Sequence, residues 1–232
     1  MPSDFISRKL AQTIFHAFDF AKYIGKPLNT YAVVNLRAVD AEVADQVMQV
    51  IRNKCRVWMK GRQKKAGEPE DPPYYVGSFE CPDGENVHVN WVLHVPEAFQ
   101  REFRRKLPGW VRKAQGTVPG PYDIDVQEVD PRSDKRLAKY ILKGTDPAYK
   151  EHFHLEEFTE PQGPIHGRRA SASLSLNKSA RKAAGFVAKR HRNLWKKSAW
   201  AQPILAKPTP SVPKYFVQLV ATAYPEGHSA QS

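Results

Sequence analysis

The sequence predicts an α+β fold of the split βαβ, ferredoxin-like kind, in which a four-stranded antiparallel sheet carries helices on one face. Three observations point there. The periodic segments from Thr30 onward follow one another as β-α-β-β-α-β-α. An Asp-Gly hairpin signal, Pro82-Asp83-Gly84-Glu85, separates two β-rich runs. The chain has 232 residues at 41 % hydrophobic content, enough for one well-buried domain and too short for two full-sized ones.

Residues 8 to 24 place Leu10, Ile14, Phe15, Phe18 and Ala21 at helical spacing, and Gly25-Lys26-Pro27 ends that helix. Thr30 to Leu36, rich in β-branched and aromatic residues, predicts a strand. Asp40 is placed to cap a helix to about Lys60, with Val43, Val47, Val50, Ile51 and Val57 as its apolar stripe. A charged Gly- and Pro-containing loop is expected from Gly61 to Pro73. Tyr74 to Cys81 and Val87 to Val95 read as the hairpin strands. Pro96 and Glu97 open a helix through Phe99, Phe103 and Leu107, which Pro108-Gly109 should interrupt. Tyr122 to Val129 alternates apolar and polar residues like a half-exposed strand. Ser133 is placed to cap a helix that runs toward Gly144. Beyond it, Ser171 to Leu176 reads as a further strand and Lys178 to Lys197 as a basic helix. The expected organisation is an N-terminal helix (1–27), a core (28–160), a basic helical extension (161–202) and a Pro-rich, poorly ordered tail (203–232).

The formal net charge of +12 becomes informative once it is located. Residues 1 to 160 hold 24 Lys+Arg and 23 Asp+Glu, whereas 161 to 214 hold the other 12 basic residues and no acid. Such a single-sign field attracts a polyanion. Phe186, Trp195 and Trp200 are interleaved with the charge, as in surfaces that stack bases. No strong apolar face accompanies it, which disfavours a membrane surface. The chain has no uninterrupted apolar run of about 18 residues and no signal core, so a cytoplasmic location is expected. Cys55 and Cys81 are its only cysteines, which suits a reducing compartment and excludes a disulfide framework. No Gly-x-x-x-x-Gly-Lys-Ser/Thr loop is present, so no nucleotide cofactor is expected and any unwinding has to come from a partner.

The strand after the hairpin reads Val87-His88-Val89-Asn90-Trp91-Val92-Leu93-His94. His88 and Asn90 project from one face with Cα atoms about 6.6 Å apart, close enough to grip one ion, while His94 lies too far along the strand to share it. Glu80 joins them only if a three-residue loop with a bulge pairs it with His88; a two-residue Asp-Gly loop would pair it with Val87 and send it to the other face. On the later helix, Tyr140 and Lys143 stand three residues apart on one face. There an ammonium could favour the phenolate of a tyrosine whose unperturbed pKa is about 10.

Together these residues resemble the His-hydrophobic-His (HUH) endonucleases of the rolling-circle replication initiator type, found in bacterial plasmids and integrated elements. The family is marked by a His-hydrophobic-His strand, a glutamate eight residues before its first His, and a later helix with Tyr-x-x-Lys. Here Glu80, His88 and Tyr140-Ile-Leu-Lys143 stand in that order, and Tyr31-Ala-Val-Val-Asn-Leu36 resembles the first-strand motif. The likeness covers roughly residues 28 to 185. It implies an enzyme dependent on Mg²⁺ or Mn²⁺, held by Glu80, His88 and Asn90, that nicks and joins single-stranded DNA at an origin or hairpin. Tyr140 would become linked to a 5′ phosphate, Lys143 would stabilise charge, and a host helicase would unwind the duplex. Arg168, Arg169, Lys178, Arg181 and Lys182 are then expected to hold flanking phosphates. One departure is that Asn90 stands where the family has its second His. His152-Phe153-His154 matches the triplet more literally but follows Tyr140, outside the core pattern. A catalytically degenerate DNA-binding relative, an RNA-recognition-like module and a single-tyrosine transposase stay open as alternatives.

Overall fold

A computed structural model describes residues 2–37, 42–84, 86–130, 133–157 and 162–187. In chain order the elements are β1 (Pro2–Ser3), α1 (Arg8–Tyr23), β2 (Thr30–Leu36), α2 (Ala44–Ala66), β3 (Tyr75–Glu80), β4 (Val87–Leu93), α3 (Glu97–Gln115), β5 (Ile124–Glu128), α4 (Asp134–Ile141), α5 (Lys150–Phe153), β6 (Ile165–His166), β7 (Ala170–Ala172) and α6 (Lys178–Ala183). The result is a mixed α+β fold. Its main sheet has the order β5-β2-β4-β3-β7, and all neighbours are antiparallel. A short β1-β6 pair lies beside it.

Side-chain alternation divides this sheet into two faces. One carries Val34, Phe79, Val89 and Trp91, which pack on Met48, Ile51 and Cys55 of α2 and on Phe103, Leu107 and Val111 of α3. The other carries Tyr31, Val76 and Val92, which pack with Ile14 and Phe18 of α1 and with Ala138 and Ile141 of α4. Helices therefore cover both faces, whereas the sequence predicted one covered face. The cause is that α1 and α4 each present an apolar stripe of their own. The second face remains polar at its other end, where Ser78, Glu80, His88 and Asn90 project.

Several boundaries differ from expectation for local reasons. Helix α2 runs six residues past Lys60, through Gly61, and ends on Gly67 in the left-handed conformation. Its C-terminal part carries the Lys60–Glu70 and Arg62–Glu102 ion pairs and buried Gln63, whose Oε1 accepts from the Asp71 amide. Asp40 lies outside the described residues. Helix α3 continues through Pro108 because Leu107 and Val111 keep their spacing into the core, and the exposed Pro108 removes only one backbone donor. Ser133 occupies the N-cap position of α4, but its helical φ and ψ (−95°, −1°) leave its side chain without a capping bond. The strand expected at Ser171 to Leu176 is shorter: β7 ends at Ala172 and a 3₁₀ turn follows at Leu174–Leu176. Helix α6 stops at Ala183, and Gly185 at φ +65° turns the chain there, so the basic helix is not continuous to Lys197. Trp195, Trp200 and the Pro-rich tail lie outside the described residues.

Candidate active site

The hairpin loop decides whether the site exists at all. Strand β3 ends at Glu80 and β4 begins at Val87, and the register pairs Glu80 with His88, Ser78 with Asn90 and Val76 with Val92. Glu80 therefore shares the face of His88 and Asn90, as the longer loop requires. On the other flank, β2 pairs Asn35 with His88 and Val33 with Asn90.

Glu80 is 6 % exposed, and a buried carboxylate needs partners for its charge. Its Oε2 lies 2.9 Å from Lys143 Nζ, and its Oε1 accepts from Asn90 Nδ2 at 2.6 Å. Because a carboxylate only accepts, the Asn90 amide must turn its NH₂ toward Glu80. Its Oδ1 then faces Tyr31, whose hydroxyl donates to it at 2.6 Å. Lys143 Nζ also lies 3.5 Å from Tyr140 Oη and 4.7 Å from the ring centroid. Lys143 is not on the helix, since α4 ends at Ile141, but the turn that follows returns its amide to the Tyr140 carbonyl at 3.1 Å. One ammonium thus bridges the carboxylate of β3 and the phenol of α4.

Burial pulls the Lys143 pKa down, but the Glu80 carboxylate and the Tyr140 phenol outweigh it and hold the ammonium above its ordinary range. Burial, reinforced by Tyr140 and Glu80, raises the Tyr31 pKa well above that of a free phenol, so Tyr31 stays a neutral donor. Tyr31 and Tyr140 meet edge to face, with centroids 6.5 Å apart. Arg169 is 2 % exposed and adds a second cation. Its Nη1 donates to the carbonyls of Phe79 and Gln162 at 3.3 Å each, and its Nη2 to that of Gly163. Burial lowers the Arg169 pKa while Glu80 opposes the shift.

The predicted residues are therefore not all brought together. Glu80, Asn90, Tyr140 and Lys143 are joined by hydrogen bonds and an ion pair, and His88 stands opposite Glu80 in the register on the same face. Arg169 and Arg181 were expected to hold phosphates but are buried, and Arg181 donates to the Leu176 carbonyl at 2.9 Å. Arg168, Lys178 and Lys182 are exposed. His152 and His154 sit on α5 and its left-handed cap. Burial, with Arg8 and His154 nearby, lowers the His152 pKa to about 4, so the ring is neutral at pH 7.

Among the described residues no three His, Cys, Asp or Glu side chains converge as a metal set. The expected trio of Glu80, His88 and Asn90 meets a chemical obstacle, because the Asn90 oxygen faces Tyr31. Sequence reasoning missed Asn35. Its Nδ2 donates to the Tyr122 carbonyl at 3.3 Å, and its Oδ1 is buried with no hydrogen-bond partner among the described residues. Asn35 stands on β2 opposite His88 in the register, as Glu80 does on β3, so it adds an oxygen donor of the kind hard divalent cations take to this face of the sheet. Lys143 competes with such an ion for the same carboxylate.

Comparison with known families, curated proteins and solved structures finds no match. No helix among the described residues is long and apolar enough to cross a membrane.

Proposed function

We propose that this chain nicks and joins single-stranded DNA through a covalent phosphotyrosine at Tyr140, in the manner of the HUH replication initiators. The observation that carries this reading is the Lys143 ammonium, which contacts both the Glu80 carboxylate and the Tyr140 phenol. A split βαβ topology belongs to the same reading, and the antiparallel order β5-β2-β4-β3 supports it.

In the proposed reaction Tyr140 Oη attacks the scissile phosphorus in line. The bond from phosphorus to the 3′ oxygen breaks, the phenolic proton ends on the released 3′ hydroxyl, and the 5′ phosphate stays on the tyrosine. The linkage keeps its phosphodiester character, so a free 3′ hydroxyl can reverse the step and join strands. Lys143 stabilises charge on the phenolate and on the phosphoryl oxygens. Tyr31 and Asn90 orient Glu80, and exposed Arg168, Lys178 and Lys182 hold flanking phosphates. Mg²⁺ or Mn²⁺ at Glu80, His88 and Asn35 would polarise the scissile phosphate. The DNA substrate is an origin or hairpin strand, the setting is rolling-circle replication or transposition of a mobile element, and a helicase is the expected partner.

A second reading, a DNA-binding relative without chemistry, is favoured by one observation: both Glu80 oxygens already have internal partners. The two are separated by incubating wild type and Tyr140→Phe with labelled single-stranded DNA pools and Mn²⁺ and resolving the products on denaturing gels. The expected result is an adduct that vanishes in Tyr140→Phe. Binding with no adduct from any pool would leave the second reading standing.

A further inference from the structure

The near balance of charge over residues 1 to 160 conceals a division between elements. Helices α2 and α3 together hold 13 Lys and Arg against 3 Asp and Glu, whereas the rest of residues 1 to 160 hold 11 basic and 20 acidic residues. Both helices cover the sheet face opposite Glu80 and the α4 side of the sheet. They pack on each other through Trp58 against Phe99 and Trp110 and through the Arg62–Glu102 ion pair. A second concentration of positive charge therefore lies across the sheet from the proposed chemistry.

This charge is directed outward. In α3, Phe103, Leu107 and Val111 face the core, while Arg101, Arg105 and Arg112, at steps of 4 and 7 residues, are exposed on the other side of the helix. In α2, Arg56, Lys60 and Lys64 recur every 4 residues and are exposed, away from core residues Met48, Ile51 and Cys55. At the helical rise the two lines are about 16 and 12 Å long. The carboxylates Asp45 and Glu102 are engaged by other cations, Asp45 by Arg52 and Glu102 by Arg62 and Lys106. Among the described residues Arg56, Lys64, Arg101, Arg105 and Arg112 have no carboxylate partner. Lys60 meets Glu70 in a pair whose members are both exposed, and a phosphate can replace such a partner at little cost.

The composition of the face selects its occupant. Guanidinium forks suit phosphate oxygens. Single strands draw much of their affinity from bases stacked on aromatic rings, but Trp58, Phe99, Phe103 and Trp110 of these helices are packed on one another. A lipid surface requires a continuous apolar face beside the charge, yet α3 exposes no large hydrophobic side chain and α2 exposes only Val50 and Val57. A duplex requires neither feature. It offers a fixed negative charge per about 1.7 Å of axis, and cations on rigid helices meet it without first ordering a flexible partner.

We propose that the outer faces of α2 and α3 bind duplex DNA through its phosphates, with Arg101, Arg105 and Arg112 forming one line of contacts and Arg56, Lys60 and Lys64 the other. Such contacts position the duplex without reading its sequence. The choice of DNA rests on the nicking reading above, whereas the contact itself does not involve Tyr140.

The test titrates a short labelled DNA duplex and oligo(dT) by fluorescence anisotropy at several salt concentrations. The full chain carries Tyr140→Phe throughout, so covalent capture does not enter, and failure of the nicking reading, seen as a missing adduct in wild type, leaves these titrations unaffected. Arg101→Gln/Arg105→Gln is set against Lys178→Gln/Lys182→Gln, which removes the same charge from α6. The α3 pair is expected to shrink the duplex slope of log K against log salt by about 1.8 and to weaken duplex binding at least about tenfold at about 0.1 M salt. It should leave the oligo(dT) slope and the melting temperature at the parent values. Arg56→Gln/Lys64→Gln should shrink the duplex slope similarly, and the α6 pair should leave it unchanged. No duplex binding by the parent, or a duplex slope that the α3 pair does not alter, overturns the proposal. Equal shrinkage by the α3 and α6 pairs also overturns it, because net charge alone would then account for binding. So does an equal loss of duplex and oligo(dT) binding in the α3 pair, which would make this face a single-strand track.

Discussion

Lys143 sets the charge balance around Tyr140, because the carboxylate it neutralises is the one a divalent ion would need. Replacing it with Met removes a competing cation from Glu80 and a stabilising one from the phenol, so two measurements should move in opposite directions. Mn²⁺ affinity, read by paramagnetic resonance of free Mn²⁺, should rise about tenfold as like-charge repulsion disappears. Adduct formation should fall by about a hundredfold as the phenolate loses its ammonium. Unchanged Mn²⁺ affinity would mean that Glu80 is not the metal ligand. His152 gives the same scale a pH dependence. Its pKa falls from about 6.5 in the unfolded chain to about 4 in the folded one, so the unfolded state binds the extra proton. Its contribution is fully present above pH 6.5 and is lost as pH falls toward 4. Urea unfolding of His152→Gln at pH 7 and 4.5 should show a smaller acid loss than wild type, and an equal loss would refute the assignment. Of the residues in this cluster, His88 and Asn90 were legible from their spacing on one strand and Tyr140 and Lys143 from their spacing of three, whereas the face of Glu80 hung on the hairpin register. Asn35, Tyr31 in its bonding role and buried Arg169 were not legible. Their neighbours lie on strands and loops remote in sequence, and only the sheet order brings them together.

Among the elements, α3 and the loop before β6 carry backbone features whose removal should act in opposite directions. Pro108 is exposed within α3 and leaves the helix short of one donor, so Pro108→Ala should stabilise the protein by roughly 1 to 3 kcal/mol in urea titrations, since no buried contact is lost. Gly163 has φ +64°, and a Cβ there would come 1.7 Å from the Cys81 carbonyl oxygen. The same loop accepts the amide of Cys81 at 2.8 Å through Gln162 and the Arg169 guanidinium through both carbonyls. Gly163→Ala should therefore cost about 3 kcal/mol or more and loosen the support beneath Glu80. A melting temperature equal to wild type would show that the loop is not held against β3. Strand β2 and the start of α3 follow local periodicity closely and were readable. The far end of α2 and the passage through Pro108 were not, because tertiary contacts of Gln63, Leu107 and Val111 override the local breakers there.

Across the whole molecule, the acid-poor segment from residue 161 is built partly into the sheet rather than appended to it. Strand β7 pairs with β3, Leu176 joins the α1 side of the core, and Phe186 packs on Phe20 at 5.2 Å between centroids. Charge counting could locate this segment but could not separate the arginines that fold inward from the cations that face solvent. That separation has a measurable consequence. Lys178 and Lys182 lie four residues apart on α6 and are both exposed, so they share a face, whereas Arg169 and Arg181 have their guanidinium groups on carbonyls. If the exposed pair neutralises phosphates of a bound single strand, each lysine releases counterions on binding. The slope of log K against log salt should then shrink by about 0.7 for each lysine changed to Gln. Fluorescence-anisotropy titrations of oligo(dT) at several salt concentrations measure this, with Lys178→Gln/Lys182→Gln set against wild type. A slope that does not change would move the phosphate contacts elsewhere on the chain. A slope that shrinks while relative affinities across DNA sequences stay constant would mark the α6 face as an electrostatic track that positions the strand and leaves sequence choice to the cluster around Tyr140.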